Sequence, residues 1–86
     1  MENTSTIVQL ADIRRRCASG LARRVRVKSG LSLREIAAAT AERAGCTVSA
    51  STVYRWESGD ARPTGDRALA YLAVLDELQP ARGAVL

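Results

Sequence analysis

Aliphatic residues recur every three or four positions along most of this chain, which is the spacing of one face of an α-helix. At about 100° per residue, the first such series covers an arc of roughly 120°; its members are Ile7, Leu10, Ile13, Cys17, Leu21 and Val25. Aromatic residues make up only 3% of the 86 residues, so Leu, Ile, Val and Ala must fill the core. This composition favours helices packed on helices around one core.

Glycines and capping residues divide the chain into four or five helices. The clearest start signal is Ser32 followed by Glu35, which is the spacing of a capping box. Helices are expected to begin near Thr6, Ser32, Ser49 and Thr64, and to end near Ser29-Gly30, Gly45, Ser58-Gly59 and Pro80. This pattern implies one long N-terminal helix. A break at Ser19-Gly20 is the alternative, because glycine destabilises a helix interior.

The expected fold class is therefore all-α, a compact bundle of four to five helices that begins with a long helix. Its two middle helices, joined by a turn, have the order of a helix-turn-helix. We expect residues 6–79 to form this domain, residues 1–5 a flexible tail and residues 80–86 a C-terminal tail.

Positive charge is concentrated in the N-terminal part of the sequence. The chain has a net charge of +4, and residues 13–34 hold eight arginines and lysines and no acid. Clustered arginines attract a polyanion, because the guanidinium binds phosphate through a planar fork of donors. From this stretch we expect phosphate contacts by Arg15, Arg16, Arg23, Arg26, Lys28 and Arg34. A solvated helix face that binds nothing is the alternative interpretation.

Signals for several other protein classes are missing. The chain has no histidine, and Cys17 and Cys46 do not form a CxxC pair, so it lacks the ligands of a zinc finger. No nucleophile lies beside a base and no glycine loop could cradle phosphate, so we expect neither an enzyme nor a cofactor, metal or small-molecule substrate. The sequence has no signal peptide and no apolar run of roughly 18 residues, so the chain is expected to be cytoplasmic and to make no membrane contact. Both cysteines are expected to be free and buried.

The third expected helix has an apolar and a polar side. Val53 and Trp56 share one side with Ser49, at about 100° per residue. The other side carries hydrogen-bonding groups from Ser51, Tyr54, Arg55 and Ser58. A major groove binds such a face, because hydroxyls contact base edges or phosphates and an arginine can bridge two acceptors of guanine. We therefore expect Trp56 to anchor the helix on the core and Arg55 to contact a base.

Four blocks of this sequence resemble the lambda-repressor-like helix-turn-helix family, which includes phage repressors and Cro proteins. They are Gly30-Leu31-Ser32, Glu35-Ile36-Ala37, Val48-Ser49-Ala50-Ser51-Thr52-Val53, and Trp56-Glu57-Ser58-Gly59 followed by Pro63. The resemblance covers residues 21–79. It implies that Ala50, Ser51 and Thr52 approach base edges, and that Arg55 lies near bases or backbone. It also implies a structural role for Glu57.

The chain departs from the family pattern at two places. Leu33 stands where the family usually has a glutamine that contacts phosphate and the recognition helix, and Arg34 is expected to replace that phosphate contact. About six extra residues lie between Ala37 and Val48 and could lengthen the first helix of the motif. The complete set of expected DNA contacts is Arg23, Arg26, Lys28, Arg34, Ser49, Ala50, Ser51, Thr52, Tyr54, Arg55, Ser58 and Arg62.

Two classes of function fit these features. The first is a small transcription regulator, repressor-type or Cro-like, from a phage or mobile element, acting on double-stranded DNA in a bacterial cell or infected host. An antitoxin-type autoregulator would look similar. A homodimer on a palindromic site would match paired recognition helices about 34 Å apart. The second is a protein-interaction module of the same fold, for which residues 84–86 with Tyr71 and Leu78 could supply an exposed apolar patch.

Overall fold

A computed structural model describes residues 4–79, which form five α-helices and no strand. These are α1 (Thr4–Ala18), α2 (Leu21–Lys28), α3 (Leu33–Ala44), α4 (Ala50–Ser58) and α5 (Gly65–Leu78). The expected all-α bundle is confirmed, and α3 and α4 are the two helices of the helix-turn-helix. Helix α1 begins two residues before the expected start, whereas residues 1–3 and 80–86 of the expected tails lie outside the described part of the chain.

The expectation of one long helix before Gly30 is wrong, because α1 and α2 are separate helices. Gly20 lies between them with φ at +83°, a left-handed conformation that costs glycine little. The break allows both helices to turn buried residues toward the core. The apolar stripe of α1 is also shorter than expected, because Ile7 is 56% exposed and the buried series starts at Leu10.

The capping residues of the motif behave largely as expected. Ser32 and Glu35 form a reciprocal capping box at the start of α3, with nitrogen–oxygen distances of 3.0 and 2.9 Å. Gly45 ends α3 in the left-handed conformation, so the extra residues lengthen α3 to 12 residues. Thr64 lies at the N-cap of α5, but its side chain makes no capping hydrogen bond there.

All five helices contribute to one core in which α5 packs against α1, α2 and α3. One fully buried residue from each helix illustrates this, namely Ile13, Ala22, Ile36, Val53 and Tyr71. Trp56 is only 4% exposed, and its ring centroid lies 4.9 Å from that of Tyr71. The expectation that Trp56 anchors the recognition helix on the core is therefore confirmed.

The two free cysteines occupy different environments. Cys17 is buried, and burial raises the pKa of its thiol to about 11. Cys46 is exposed between α3 and α4, so the expectation of two buried cysteines is correct only for Cys17. Cys46 directly follows the left-handed Gly45 that ends α3. None of the helices described for residues 4–79 is long and apolar enough to cross a membrane.

Candidate nucleic-acid interface

Helix α4 presents its polar side to solvent, as the spacing of its residues predicts. Val53 and Trp56 are buried, whereas Ser51, Tyr54, Arg55 and Ser58 are all exposed. Tyr54 is a large aromatic side chain and is nevertheless 56% exposed. Because the buried pair fixes the rotation of α4, the exposed residues lie together on its outer face.

The hydroxyl groups at the start of α4 have two different roles. The Ser49 Oγ accepts a hydrogen bond from the Thr52 backbone N–H at 3.1 Å and lies 3.0 Å from the Thr52 hydroxyl. Ser49 and Thr52 therefore satisfy each other at the helix start. Ser51 is exposed and makes no side-chain hydrogen bond within residues 4–79, so its hydroxyl is available to an outside partner. Ala50 is half-buried beside them.

Several exposed arginines in the described part of the chain form no ion pair there. Arg55 lies on the outer face of α4, and Arg34 lies in the first turn of α3. Arg23 lies on α2, and Arg62 in the segment that joins α4 to α5. Sequence reasoning missed Arg67, an exposed arginine near the start of α5.

Arg26 is not part of this exposed set, which corrects the expectation that it contacts phosphate. Its guanidinium forms a two-pronged ion pair with the carboxylate of Glu57, with nitrogen–oxygen distances of 2.6 and 3.0 Å. A third donor reaches the carbonyl of Leu31 at 3.0 Å. The side chains of Arg26 and Glu57 are only 13% and 4% exposed.

This ion pair joins α2 to α4 and to the segment before α3. The hydrogen bond that Arg26 donates to Glu57 is the main cause that raises the pKa of the guanidinium, which favours its charged form. The structural role expected for Glu57 is confirmed. The pair holds α4 against α2.

The arginines of α1 are also largely used inside the protein. Arg16 donates to Asp12 at 3.1 Å and to Gln79 at 2.9 Å, and pairs with Asp76 at 2.8 Å. Its expected phosphate contact is therefore wrong, because its donors already have partners. Arg15 is 72% exposed and lies 3.6 Å from Asp12. Only this loose ion pair would compete with a phosphate for its guanidinium.

Lys28 lies on a different side of α2 from the ion pair with α4. It is exposed beside Arg24 along a groove between α2 and the end of α5. Lys28 is two positions after Arg26, which is about 200° around a helix. The structure therefore does not bring Lys28 together with the outer face of α4.

The apolar patch considered for a protein-interaction module is not formed as expected. Tyr71 is fully buried against Trp56 and cannot belong to an exposed surface. Leu78 is half-buried, and residues 84–86 lie outside the described part of the chain. Among residues 4–79, no group of three or more acidic residues and cysteines is placed to hold a metal ion.

Two consecutive helices with a buried inner face, a capped turn and a polar outer face on the second helix define a helix-turn-helix. The helix-turn-helix family HTH_3 matches residues 23–81, more than half of the 86 residues. The chain belongs to this family, whose members are DNA-binding domains of the XRE and Cro type. Comparisons with curated proteins and with solved structures found no match. The family is non-catalytic and its partner is DNA.

Proposed function

We propose that this chain is a transcription regulator that binds a specific double-stranded DNA sequence, with residues 49–58 in the major groove. The observation that carries the proposal is the outer face of α4, where Ser51, Tyr54 and Arg55 are exposed while Val53 and Trp56 are buried. A rigidly held helix with hydroxyl and guanidinium groups on its outer side has the donors that read base edges in the major groove.

Selection of bound sequences from a random double-stranded DNA pool tests this proposal and yields the cognate site. On that site, Arg55→Ala is expected to weaken binding by about 1–3 kcal/mol and to relax the preference at one base position. Binding to random DNA should fall much less. Arg55→Lys should not restore full affinity, because an ammonium group cannot reproduce the two-pronged contact with guanine.

A matched control is Arg15→Ala, which removes an exposed arginine of α1 and should leave the base preference unchanged. If Arg55→Ala reduces cognate and random binding equally, Arg55 contacts phosphate. The specificity would then come from Ala50, Ser51 and Thr52. If the selection enriches no sequence at all, DNA recognition by α4 is wrong for this chain.

The exposed arginines around the motif are proposed to contact phosphates without choosing sequence. Arg23, Arg34, Arg62 and Arg67 are exposed and have no acid partner within residues 4–79. Arg34→Ala combined with Arg62→Ala should weaken cognate and random DNA alike. The salt dependence, plotted as log affinity against log salt, should flatten by about 0.9 for each phosphate contact that is lost. An unchanged slope would show that these arginines are only solvated.

The biological role is proposed to be that of a repressor-type or Cro-like regulator of a phage or mobile element, binding a palindromic site as a homodimer. The resemblance to a family that includes phage repressors and Cro proteins supports this role. Placing the selected site across a reporter promoter distinguishes repression from activation. Binding to the promoter of the chain's own gene, together with a neighbouring toxin gene, would instead indicate an antitoxin-type autoregulator.

A further inference from the structure

Helix α1 is an addition to the family domain, because the family match begins at residue 23 and α1 ends at Ala18. It nevertheless packs against α4 and α5 as well as α2. Its residue Arg14 is half-buried and forms no ion pair within residues 4–79. Instead, the Arg14 Nε donates a hydrogen bond of 2.9 Å to the carbonyl of Pro63, which is 49 residues away along the chain. Helix α1 therefore reaches the segment that follows α4.

This segment, residues 59–64, joins α4 to α5 and is held at two points. On its α4 side, the Ala61 backbone N–H donates to the Arg55 carbonyl at 3.2 Å. On its α5 side, the bond from Arg14 is the only hydrogen bond that residues 62–63 form within the part of the chain that the structure describes. The path of the segment between these points therefore depends on α1.

Arg62 lies between the two points and is exposed. The next residue, Pro63, is buried. A proline ring fixes its own φ at about −65° and restricts the residue before it to extended conformations, so little backbone freedom remains at Arg62 once the Pro63 carbonyl is bonded to Arg14. All three residues line one groove of about 290 Å³ between α1 and the segment. The direction in which the Arg62 side chain leaves the protein is therefore set partly by α1.

We propose that Arg14 is a positioning residue for DNA binding, which holds the 59–64 segment so that the Arg62 guanidinium meets a phosphate from a fixed backbone. The inference rests on the phosphate contact of Arg62 in the proposed function. Ordering a long side chain or its segment only on binding weakens affinity by about two- to tenfold, and a segment that is ordered beforehand avoids this loss. In this role Arg14 acts through Arg62 and does not itself contact DNA.

The first test is the affinity of Arg14→Met for the selected DNA site. Methionine keeps an unbranched stem but removes both the donor and the charge. The variant should bind about two- to tenfold more weakly. The slope of log affinity against log salt should stay unchanged, because Arg62 still reaches its phosphate, whereas Arg62→Ala should flatten that slope by about 0.9.

Double variants separate positioning from general attraction or a loosened fold. In an Arg62→Ala background, Arg14→Met should lose most of its effect, because the side chain that it positions is absent. In an Arg55→Ala background it should keep its full effect, since a general loosening of the fold would act on both contacts. The matched control is Arg15→Met, which removes an equal charge from an exposed position of α1 and should have the same effect with and without Arg62.

A measurement without DNA tests the positioning directly. Nuclear magnetic resonance relaxation should show lower backbone order parameters at Ala61 and Arg62 in Arg14→Met, and unchanged ones in Arg15→Met. Circular dichroism verifies that each variant is folded.

The proposal is overturned if Arg14→Met leaves the affinity or the order parameters unchanged, or if its effect is the same with and without Arg62. A salt slope flattened by about 0.9 in Arg14→Met would also overturn it, because Arg14 would then contact a phosphate itself. If Arg62→Ala alone changes neither affinity nor slope, the phosphate contact of the proposed function is wrong and the inference falls with it. If Arg62→Ala weakens binding and the two changes are additive, only the positioning role is wrong.

Discussion

Glu57→Gln removes the carboxylate that holds the Arg26 guanidinium and leaves a charged group in a nearly closed site. The side chain of Glu57 is 4% exposed and that of Arg26 is 13% exposed. Removing one partner of a buried ion pair costs about 3–5 kcal/mol, because the remaining charge loses its compensation. Arg26 keeps its hydrogen bond to the Leu31 carbonyl and slight contact with water, so the lower end of that range, about 3 kcal/mol, is expected.

That loss is large for a chain of this size. At about 0.05–0.15 kcal/mol per residue, the 86 residues have a free energy of unfolding of about 4–13 kcal/mol. A loss of about 3 kcal/mol lowers the melting temperature of such a domain by roughly 12–24 °C. Urea denaturation followed by far-ultraviolet circular dichroism measures the free energy directly, and an unchanged m value would show that the same surface is exposed on unfolding.

The matched control is Glu77→Gln, because Glu77 also pairs with an arginine but at the surface, where the two side chains are 62% and 42% exposed. An exposed pair contributes about 0–1 kcal/mol, so this variant should be nearly as stable as the original chain. The double variant Arg26→Met with Glu57→Met should be more stable than Glu57→Gln, because it leaves no unpaired charge. Equal losses for Glu57→Gln and Glu77→Gln would refute the assignment of a buried, orienting ion pair.

Two further predictions concern the buried side chain of Trp56 and the titration of the buried Cys17 thiol. Trp56→Ala should cost about 3–5 kcal/mol in urea denaturation, since it removes a buried aromatic side chain; a variant that kept its stability but lost DNA binding would mean that Trp56 points outward. The Cys17 thiol has its pKa raised by burial from 9.0 to about 11, so above pH 9 the unfolded chain releases this proton while the folded chain retains it. Stability should therefore fall by about 1.4 kcal/mol between pH 8 and pH 10. Cys17→Ala should lose most of this decline, because Tyr71, whose pKa burial also raises, still contributes near pH 10. An identical decline in that variant would assign it to another group.

Local sequence signals predicted most helix boundaries because those signals act within one turn. The capping box of Ser32 and Glu35 and the left-handed Gly45 involve only neighbouring residues, so they can be identified without knowing the fold. The Ser19-Gly20 break was harder to predict. A glycine costs a helix interior only about 1 kcal/mol, and packing can offset that amount, so the outcome depends on which arrangement buries more of α1 and α2.

The spacing of apolar residues was also sufficient to predict which side of the recognition helix, α4, faces the core and which faces outward. A helix of 9 residues has one side for the core, and Val53 and Trp56 are its large apolar residues, so Arg55 and Tyr54 had to face outward. The sequence therefore determined the helical class, the order of the motif and the outer face of α4, because each follows from chemistry repeated within three or four residues.

The tertiary structure alone decided which arginines are available to DNA. Arg23 and Arg26 belong to the same basic stretch, and local spacing predicts the same exposed, phosphate-binding role for both. Their fates differ because Arg26 meets Glu57, which is 31 residues away along the chain, and Arg16 similarly meets Gln79 across 63 residues. An ion pair between helices depends on how those helices cross and on their relative register. Both are set only when the core assembles, which is why no local pattern could reveal them.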